Sequence, residues 1–315
     1  MTNYAGRRFG GFRGIYRQIS GYAHPHPRSV VSSHTAGEER LIRFGTRVPQ
    51  GGGPRSKTCD DPVVIKAVYF DGDQTLWDFE VLMRRSLAAT LTQLQALRPG
   101  IRTQDLDVES VVADREAVAE ELRGAETNLE RIRLAAFSRT LSRLGLQDDD
   151  LAAQLNAYYL QHRFDNVELF PEVVDALAVL SRSYVLGLLS NGNGYPERSG
   201  LGGTFASVVF SQDHGVEKPD RRLFDVAAAA VGCEPDEVVM VGDSLPNDVR
   251  GAQNAGWQAI WLNRDGRDRP DRYTPDAEIS NLVELPKALR ALQTLPTTPD
   301  ARPSATATSA LSSAT

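Results

Sequence analysis

Five short apolar runs, separated by longer segments of helical periodicity, dominate the chain after residue 62. Short apolar runs bounded by turn-forming residues are typical of buried strands. The predicted strands cover residues 63–70, 184–189, 207–211, 237–241 and 258–262. An alanine-rich stripe predicts a helix at 221–231, and a second helix is predicted at 248–255, with Gly256 as its C-terminal cap.

A long segment without any strand pattern separates the first two predicted strands. Between residues 80 and 164, apolar side chains recur three and four positions apart, which predicts about four amphipathic helices. Two such stripes are Leu87, Leu91, Leu94 and Leu97, and Leu134, Phe137, Leu141 and Leu144. We therefore expect an α/β fold, a Rossmann-like parallel sheet with helices on both faces, formed by residues 62–78 and 168–292. Residues 79–167 would be an inserted, all-helical cap domain.

The two ends have a different composition. Residues 1–61 mix Gly, Pro, Ser, His and Arg, and residues 293–315 are rich in Ala, Ser, Thr and Pro. Such segments bury too little apolar surface to order themselves, so both are predicted to be disordered. The first acidic residue is Glu38, which makes the N-terminal extension basic. A targeting peptide, nonspecific contact with phosphate or nucleic acid, and a start assigned too far upstream all fit it.

Charge and cysteine content narrow the function classes. The 315 residues carry a net charge of −6, which disfavours broad nucleic-acid binding by the folded part. Two cysteines give no disulfide framework, and no apolar run approaches the length of a membrane span. These features predict a cytoplasmic monomer or homodimer, or an organelle protein if the basic extension is a transit peptide. No membrane and no specific nucleic-acid partner is expected.

Four polar motifs follow predicted strands in order. Asp71 and Asp73 stand two positions apart after the first strand, so both would face one pocket. The next three motifs are Ser190-Asn191-Gly192, Lys218-Pro219, and Gly242 to Asp248, which reads GDSLPND. Hydroxyl, amide and ammonium groups can hold phosphate oxygens, and hard carboxylate ligands suit Mg²⁺.

In these four motifs the chain resembles the haloacid dehalogenase-like (HAD) superfamily, specifically its capped, magnesium-dependent phosphatases. The resemblance covers roughly residues 63–292. It implies that Asp71 is the nucleophile, which forms an aspartyl-phosphate, and that Asp73 is the general acid and base. It also implies Mg²⁺ bound by the carboxylates of Asp71 and Asp243 and by the main-chain carbonyl of Asp73.

The resemblance assigns supporting roles to four further residues. Ser190, the amide of Asn191 and Lys218 would bind phosphate oxygens. Asp248 would hold Lys218 or a metal-bound water, and Thr75 would brace the nucleophile loop by hydrogen bonding. The implied activity is hydrolysis of a small phosphorylated metabolite.

Other chemistries of the same family are distinguished by single residues. Dehalogenases lack the second aspartate, so Asp73 argues against that reaction. Phosphonatases use a cap lysine, and residues 79–167 contain none. A phosphomutase and a non-catalytic phosphate-binding regulatory protein remain open. Four cap arginines, Arg84, Arg85, Arg131 and Arg133, could meet a second anionic group, although charged helix faces are more often solvated.

Overall fold

The structure, a computed structural model, describes residues 64–101 and 106–294. A six-stranded sheet, in which all paired strands are parallel, has the spatial order β3-β2-β1-β4-β5-β6. Its strands are β1 (Ala67–Phe70), β2 (Val185–Ser190), β3 (Ser207–Phe210), β4 (Val238–Gly242), β5 (Gln258–Leu262) and β6 (Ala277–Ile279). The order changes direction between β1 and β4, which is where open parallel sheets bind ligands beyond their carboxyl ends.

Helices cover both faces of this sheet, as predicted. The described helices are α1 (Phe79–Leu97), α2 (Val108–Glu121), α3 (Leu129–Arg143), α4 (Asp149–Asp165), α5 (Val173–Leu180), α6 (Ser211–His214), α7 (Arg221–Val231), α8 (Gly251–Asn254) and α9 (Leu285–Thr294). Val68 and Phe70 of β1 pack with α5 and α9 in one core. Ala67 and Tyr69 pack with α7 and α8 in the other. This alternation is the period-two pattern of a strand buried on both sides.

Four helices, α1 to α4, follow β1 and form a core of their own. Leu87 and Leu94 of α1 pack there with Phe137, Leu141 and Leu155. Each helix begins at a residue whose side chain accepts a backbone N–H from the first turn: Asp78, Asp107, Asn128 and Asp148. Such N-caps satisfy the exposed amides of a helix start. The structure therefore contains the predicted helices between the first two strands. We call Phe79–Asp165 the helical insertion.

Several element boundaries differ from the prediction. Strand β1 begins only at Ala67, and Ser211 starts α6 instead of ending β3. The predicted helix at 248–255 is a π-helical turn, Leu245–Arg250, followed by α8, and Gly256 adopts a φ of 89° just after it. Strand β6 was not predicted.

The C-terminal boundary was also wrong by two residues. Helix α9 includes Gln293 and Thr294, because Leu285, Leu289 and Leu292 fasten its apolar face to the sheet. The rest of the predicted C-terminal tail, and the basic N-terminal extension at 1–61, lie outside the described residues. Within 64–101 and 106–294, no helix is long and apolar enough to cross a membrane.

Candidate active site

Lys218 connects the predicted nucleophile to a carboxylate from another part of the sheet. Its Nζ donates to Asp71 Oδ1 at 2.8 Å, to Asp248 Oδ1 at 2.6 Å and to the carbonyl oxygen of Leu189 at 2.9 Å. All three ammonium hydrogens therefore have acceptors. Burial lowers the pKa of Lys218, but the charges of Asp248 and Asp71 outweigh burial and raise that pKa above its ordinary value. The lysine is held as a cation.

Parallel pairing sets the positions of these groups. Phe70 is in register with Leu188 of β2 and Val241 of β4, so the three strands end at one level. Asp71 follows directly, and its backbone N–H donates to the Val241 carbonyl at 2.9 Å. The first motif is thereby brought next to the later ones, although Lys218 lies 147 residues after Asp71 in the chain.

The carboxylates of Asp71, Asp243 and Asp248 form an acidic cluster, with one oxygen of each within 4.8 Å of the others. Burial, and next the charges of Asp248 and Asp71, raise the pKa of Asp243 to about 7. A divalent cation would relieve this repulsion, and three carboxylates form the hard oxygen set that suits Mg²⁺. The residues present therefore fit the predicted metal. Asp248 is therefore a member of this acidic cluster and also forms an ion pair with Lys218.

Asp73 is not part of that cluster. Its Oδ1 accepts a hydrogen bond from Trp77 Nε1 at 2.7 Å, and a Cβ on Gly192 would lie 2.5 Å from its Oδ2. Burial, and next the charge of Asp71, raise the pKa of Asp73. Asp73 lines a pocket that lies between the loops after β1 and β2 and the helical insertion. The other lining residues include Trp77, Phe79, Arg163, Phe164 and Tyr195.

The second and third motifs are bound to each other. Asn191 Nδ2 donates to the Lys218 carbonyl at 2.9 Å, and the Lys218 N–H donates to Asn191 Oδ1 at 2.7 Å. Ser190 is the last residue of β2, and its Oγ accepts the Gly192 N–H at 3.0 Å. The peptide bond between Lys218 and Pro219 is cis. The Asn191 side chain thus fixes the lysine loop, a contact that the sequence did not predict.

Thr75 differs from its prediction. Its Oγ1 is buried and has no hydrogen-bond partner among the described residues, so the hydroxyl does not brace the loop. The backbone does so instead, because Thr75 N–H donates to Gly72 O at 3.2 Å and Arg264 Nη2 donates to Thr75 O at 2.9 Å. Arg264 also pairs with Glu172 at 2.6 Å. No motif marked Arg264, whose role depends on a contact 189 residues away in the chain.

Three comparisons identify the family. The haloacid dehalogenase-like hydrolase family matches residues 65–256. The chain is 31% identical over 241 residues to a glyceraldehyde 3-phosphate phosphatase of Methanopyrus kandleri, covering 73% of this chain and 99% of that protein. It is 29% identical over 228 residues to 5-amino-6-(5-phospho-D-ribitylamino)uracil phosphatase YigB of Escherichia coli, covering 70% and 94%.

A solved structure agrees with these relatives. The crystal structure of a 2-haloacid dehalogenase from Pseudomonas syringae superposes with a TM-score of 0.63 and 33% identity, covering 72% of this chain and 99% of that one. The chain therefore belongs to the haloacid dehalogenase-like hydrolase family. The fold class predicted from the alternating apolar runs is confirmed, and so is the family that the four motifs indicated.

Proposed function

We propose that this protein is a magnesium-dependent phosphatase that hydrolyses a small phosphomonoester. The observation that carries the proposal is that two carboxylates after the end of β1 have different surroundings. Asp71 lies in the cluster with Lys218 and Asp248, whereas Asp73 lines the pocket beside it. The curated relatives described above are phosphatases of small phosphorylated molecules.

The chain's own residues would act in two steps. In the first, an Asp71 carboxylate oxygen attacks phosphorus, the bond to the ester oxygen breaks, and Asp73 gives its proton to the departing alcohol. In the second, Asp73 takes a proton from water, which attacks the aspartyl-phosphate and releases phosphate and the free Asp71 carboxylate. Mg²⁺, held by Asp71, Asp243 and the Asp73 carbonyl, would neutralise negative charge around the phosphoryl group.

Phosphate binding would fall to the groups around Lys218. Ser190 Oγ, the Asn191 amide and the Lys218 ammonium are the candidates for contact with the phosphoryl oxygens. Asp248 would position Lys218 through the 2.6 Å contact. Binding of a phosphoryl group would require Lys218 to share its hydrogens between the two carboxylates and the new oxygens, which the flexible lysine stem allows.

A second candidate function is supported by the dehalogenase neighbour. It would use Asp71 to displace halide from carbon and would need no proton donor at the position of Asp73. The presence of Asp73 at the pocket wall favours phosphoryl transfer, because an alcohol must be protonated as it leaves and a halide need not be.

The experiment is a panel of phosphate esters and 2-haloacids assayed with and without Mg²⁺. We expect release of inorganic phosphate that depends on Mg²⁺ and that Asp71→Asn abolishes. Chloride release from 2-chloropropionate would favour the dehalogenase. Formation of an isomeric phosphate without free phosphate would favour a mutase, and an inactive wild type that still binds phosphate would indicate a regulatory protein.

A further inference from the structure

Three arginines of the helical insertion converge beside the pocket that Asp73 lines. Arg163 is 5% exposed, and its Nη2 donates to Asn193 Oδ1 at 2.6 Å. Its guanidinium carbon lies 5.8 Å from the Phe79 ring centroid, and that of Arg115 lies 5.7 Å from the same centroid. Arg133 is 8% exposed and lines a second cavity together with Arg115 and Tyr159. We call Arg115, Arg133 and Arg163 the arginine cluster.

The members of the arginine cluster have no carboxylate within salt-bridge distance among the described residues, and Arg133 Nε is buried without a hydrogen-bond partner. All other described arginines of the region from residue 79 to residue 165 pair with a carboxylate: Arg84, Arg85, Arg98, Arg123, Arg131, Arg139 and Arg143. The unpaired guanidinium groups are therefore concentrated at one place.

Burial of an unpaired cation is unfavourable, because water no longer solvates its charge. Burial, and next the charge of Arg163, lower the pKa of Arg133 to about 10, and Arg115 adds to the same repulsion. Aromatic faces of Phe79, Tyr159 and Phe164 offset part of the charge of Arg163. A bound anion would compensate the remaining positive charge through charge-assisted hydrogen bonds.

The position of the arginine cluster indicates which half of the substrate would carry that anion. Arg163 and Asp73 line the same pocket. If Asp73 protonates the departing alcohol, the atoms beyond that oxygen extend into this pocket. Arg163 would therefore face the leaving group and not the transferred phosphoryl group.

We propose that the substrate carries a second anionic group, a carboxylate or another phosphate, on its leaving half, and that Arg163 binds it within the field of Arg133 and Arg115. This inference rests on the proposed phosphatase function and narrows the substrate class. Arg133 was one of four arginines for which the sequence left such a contact open. The other three form exposed ion pairs with glutamates.

The test uses three sets of ω-substituted alkyl phosphates, with two, three or four carbons and a terminal methyl, ammonium or carboxylate. We expect kcat/KM to be highest for the carboxylate and lowest for the ammonium compound at the best chain length. The ratio of kcat/KM for carboxylate to that for methyl should fall about tenfold or more in Arg163→Gln, because a charge-assisted contact is lost. Arg133→Met should lower the same ratio.

The control is Arg131→Gln, on the same helix as Arg133 but exposed and paired with Glu126. It should leave the ratio unchanged. Arg133→Met should remain folded in urea titrations, since methionine suits an apolar site. The inference is overturned if wild type does not prefer the carboxylate, or if Arg163→Gln and Arg133→Met keep the wild-type ratio.

A second readout separates this inference from the proposed function. Calorimetric binding of the carboxylated ester and of inorganic phosphate to Asp71→Asn does not require turnover. Weaker binding of the ester, with unchanged binding of phosphate, is expected when Arg163→Gln is added. If wild type hydrolyses no ester but binding depends on Arg163, the phosphatase proposal fails and the anion site stands. If Arg163→Gln leaves ester binding unchanged, the anion site fails.

Discussion

Lys218 and Asp248 form a buried ion pair, with Nζ 2.6 Å from Oδ1 and side chains that are 2% and 1% exposed. The same ammonium reaches Asp71 Oδ1 at 2.8 Å. One cation thus joins residues of three separate motifs. Removal of one member of a buried ion pair leaves the other charge buried and unpaired, which is unfavourable. This contact should therefore matter for stability as well as for chemistry.

The first prediction concerns the loss of that cation. Lys218→Met leaves two buried carboxylates without their donor, so the free energy of unfolding in EDTA should fall by about 3–5 kcal/mol. Urea titration followed by circular dichroism measures the change. The control, Lys287→Met, alters an exposed lysine of α9 and should change stability by less than about 0.5 kcal/mol. Equal effects of the two substitutions would contradict a special role for Lys218.

The sequence predicted the arrangement of this site well because its parts are local. Three of the four motifs begin at the end of a buried strand, whereas Lys218 comes after β3 and the short helix α6. Parallel strands place their carboxyl ends at one edge. The positions of Asp71, Ser190 and Asp243 at this edge were therefore predictable from the order of strands and motifs, whereas the roles of these residues and of Lys218 come from the family resemblance and stay predictions. The number of helices in the insertion was also predictable, since leucine spacing records the buried face of each helix.

Contacts that depend on distant pairing were not predictable. Gln74 adopts a φ of 61° between Asp73 and Thr75, a conformation that glutamine seldom takes and that no sequence signal marked. Strand β6 is only three residues long and has one fully buried side chain, Ile279. Charged residues lie near Arg163 in the sequence, so its lack of a carboxylate partner becomes visible only in the three-dimensional structure. Tertiary packing decides all three cases.

The second prediction tests the space beside Asp73. In Gly192→Ala the new Cβ would lie 2.5 Å from Asp73 Oδ2 and 3.3 Å from Ser190 Oγ. Asp73 can rotate away at little cost in stability, but misplacement of its carboxyl group should lower kcat about 100-fold. Steady-state assays and thermal melting measure the two effects separately.

The matched control for this substitution is Gly202→Ala. Its nearest neighbour would be the Glu197 Cα at 3.5 Å, an ordinary contact on the surface. That variant should keep wild-type activity. If Gly192→Ala were equally active, Asp73 would not need the position that it occupies in this structure.

The third prediction concerns Arg264, which supports the loop that follows Asp73. Its Nη1 lies 2.6 Å from Glu172 Oε1, its Nη2 donates to Thr75 O, and its guanidinium carbon lies 3.8 Å from the Phe170 ring centroid. The partly buried network should make Arg264→Gln less stable by about 2–3 kcal/mol. Arg222→Gln, which removes an exposed pair with Asp220, should have a much smaller effect on stability, because solvent screens exposed ion pairs.

Acid should reduce the effect of Arg264→Gln. Burial opposes it, but hydrogen bonds from the backbone and from Arg264 lower the pKa of Glu172 below its ordinary value of 4.5. A carboxyl group with a lowered pKa contributes stability above its unfolded pKa and loses it as the pH falls. The difference in urea stability between wild type and Arg264→Gln should therefore narrow below about pH 4.5. A constant difference would mean that Glu172 is not the partner that matters.

The last prediction separates the two tasks of Asp73. In Asp73→Asn the amide oxygen can still accept from Trp77 Nε1, so the local geometry is preserved while the transferable proton is lost. For an alkyl phosphate, kcat/KM should fall by about 10²–10⁴, because the alkoxide must leave without a proton. For p-nitrophenyl phosphate, whose phenolate leaves readily, kcat/KM should fall much less, although kcat should fall for both esters because the same residue activates water in the second step. Rapid mixing should then reveal a burst of nitrophenolate equal to the enzyme concentration, while Asp213→Asn, an exposed control, should show neither effect. Equal losses of kcat/KM for the two esters, without a burst, would contradict a role for Asp73 in protonating the leaving group.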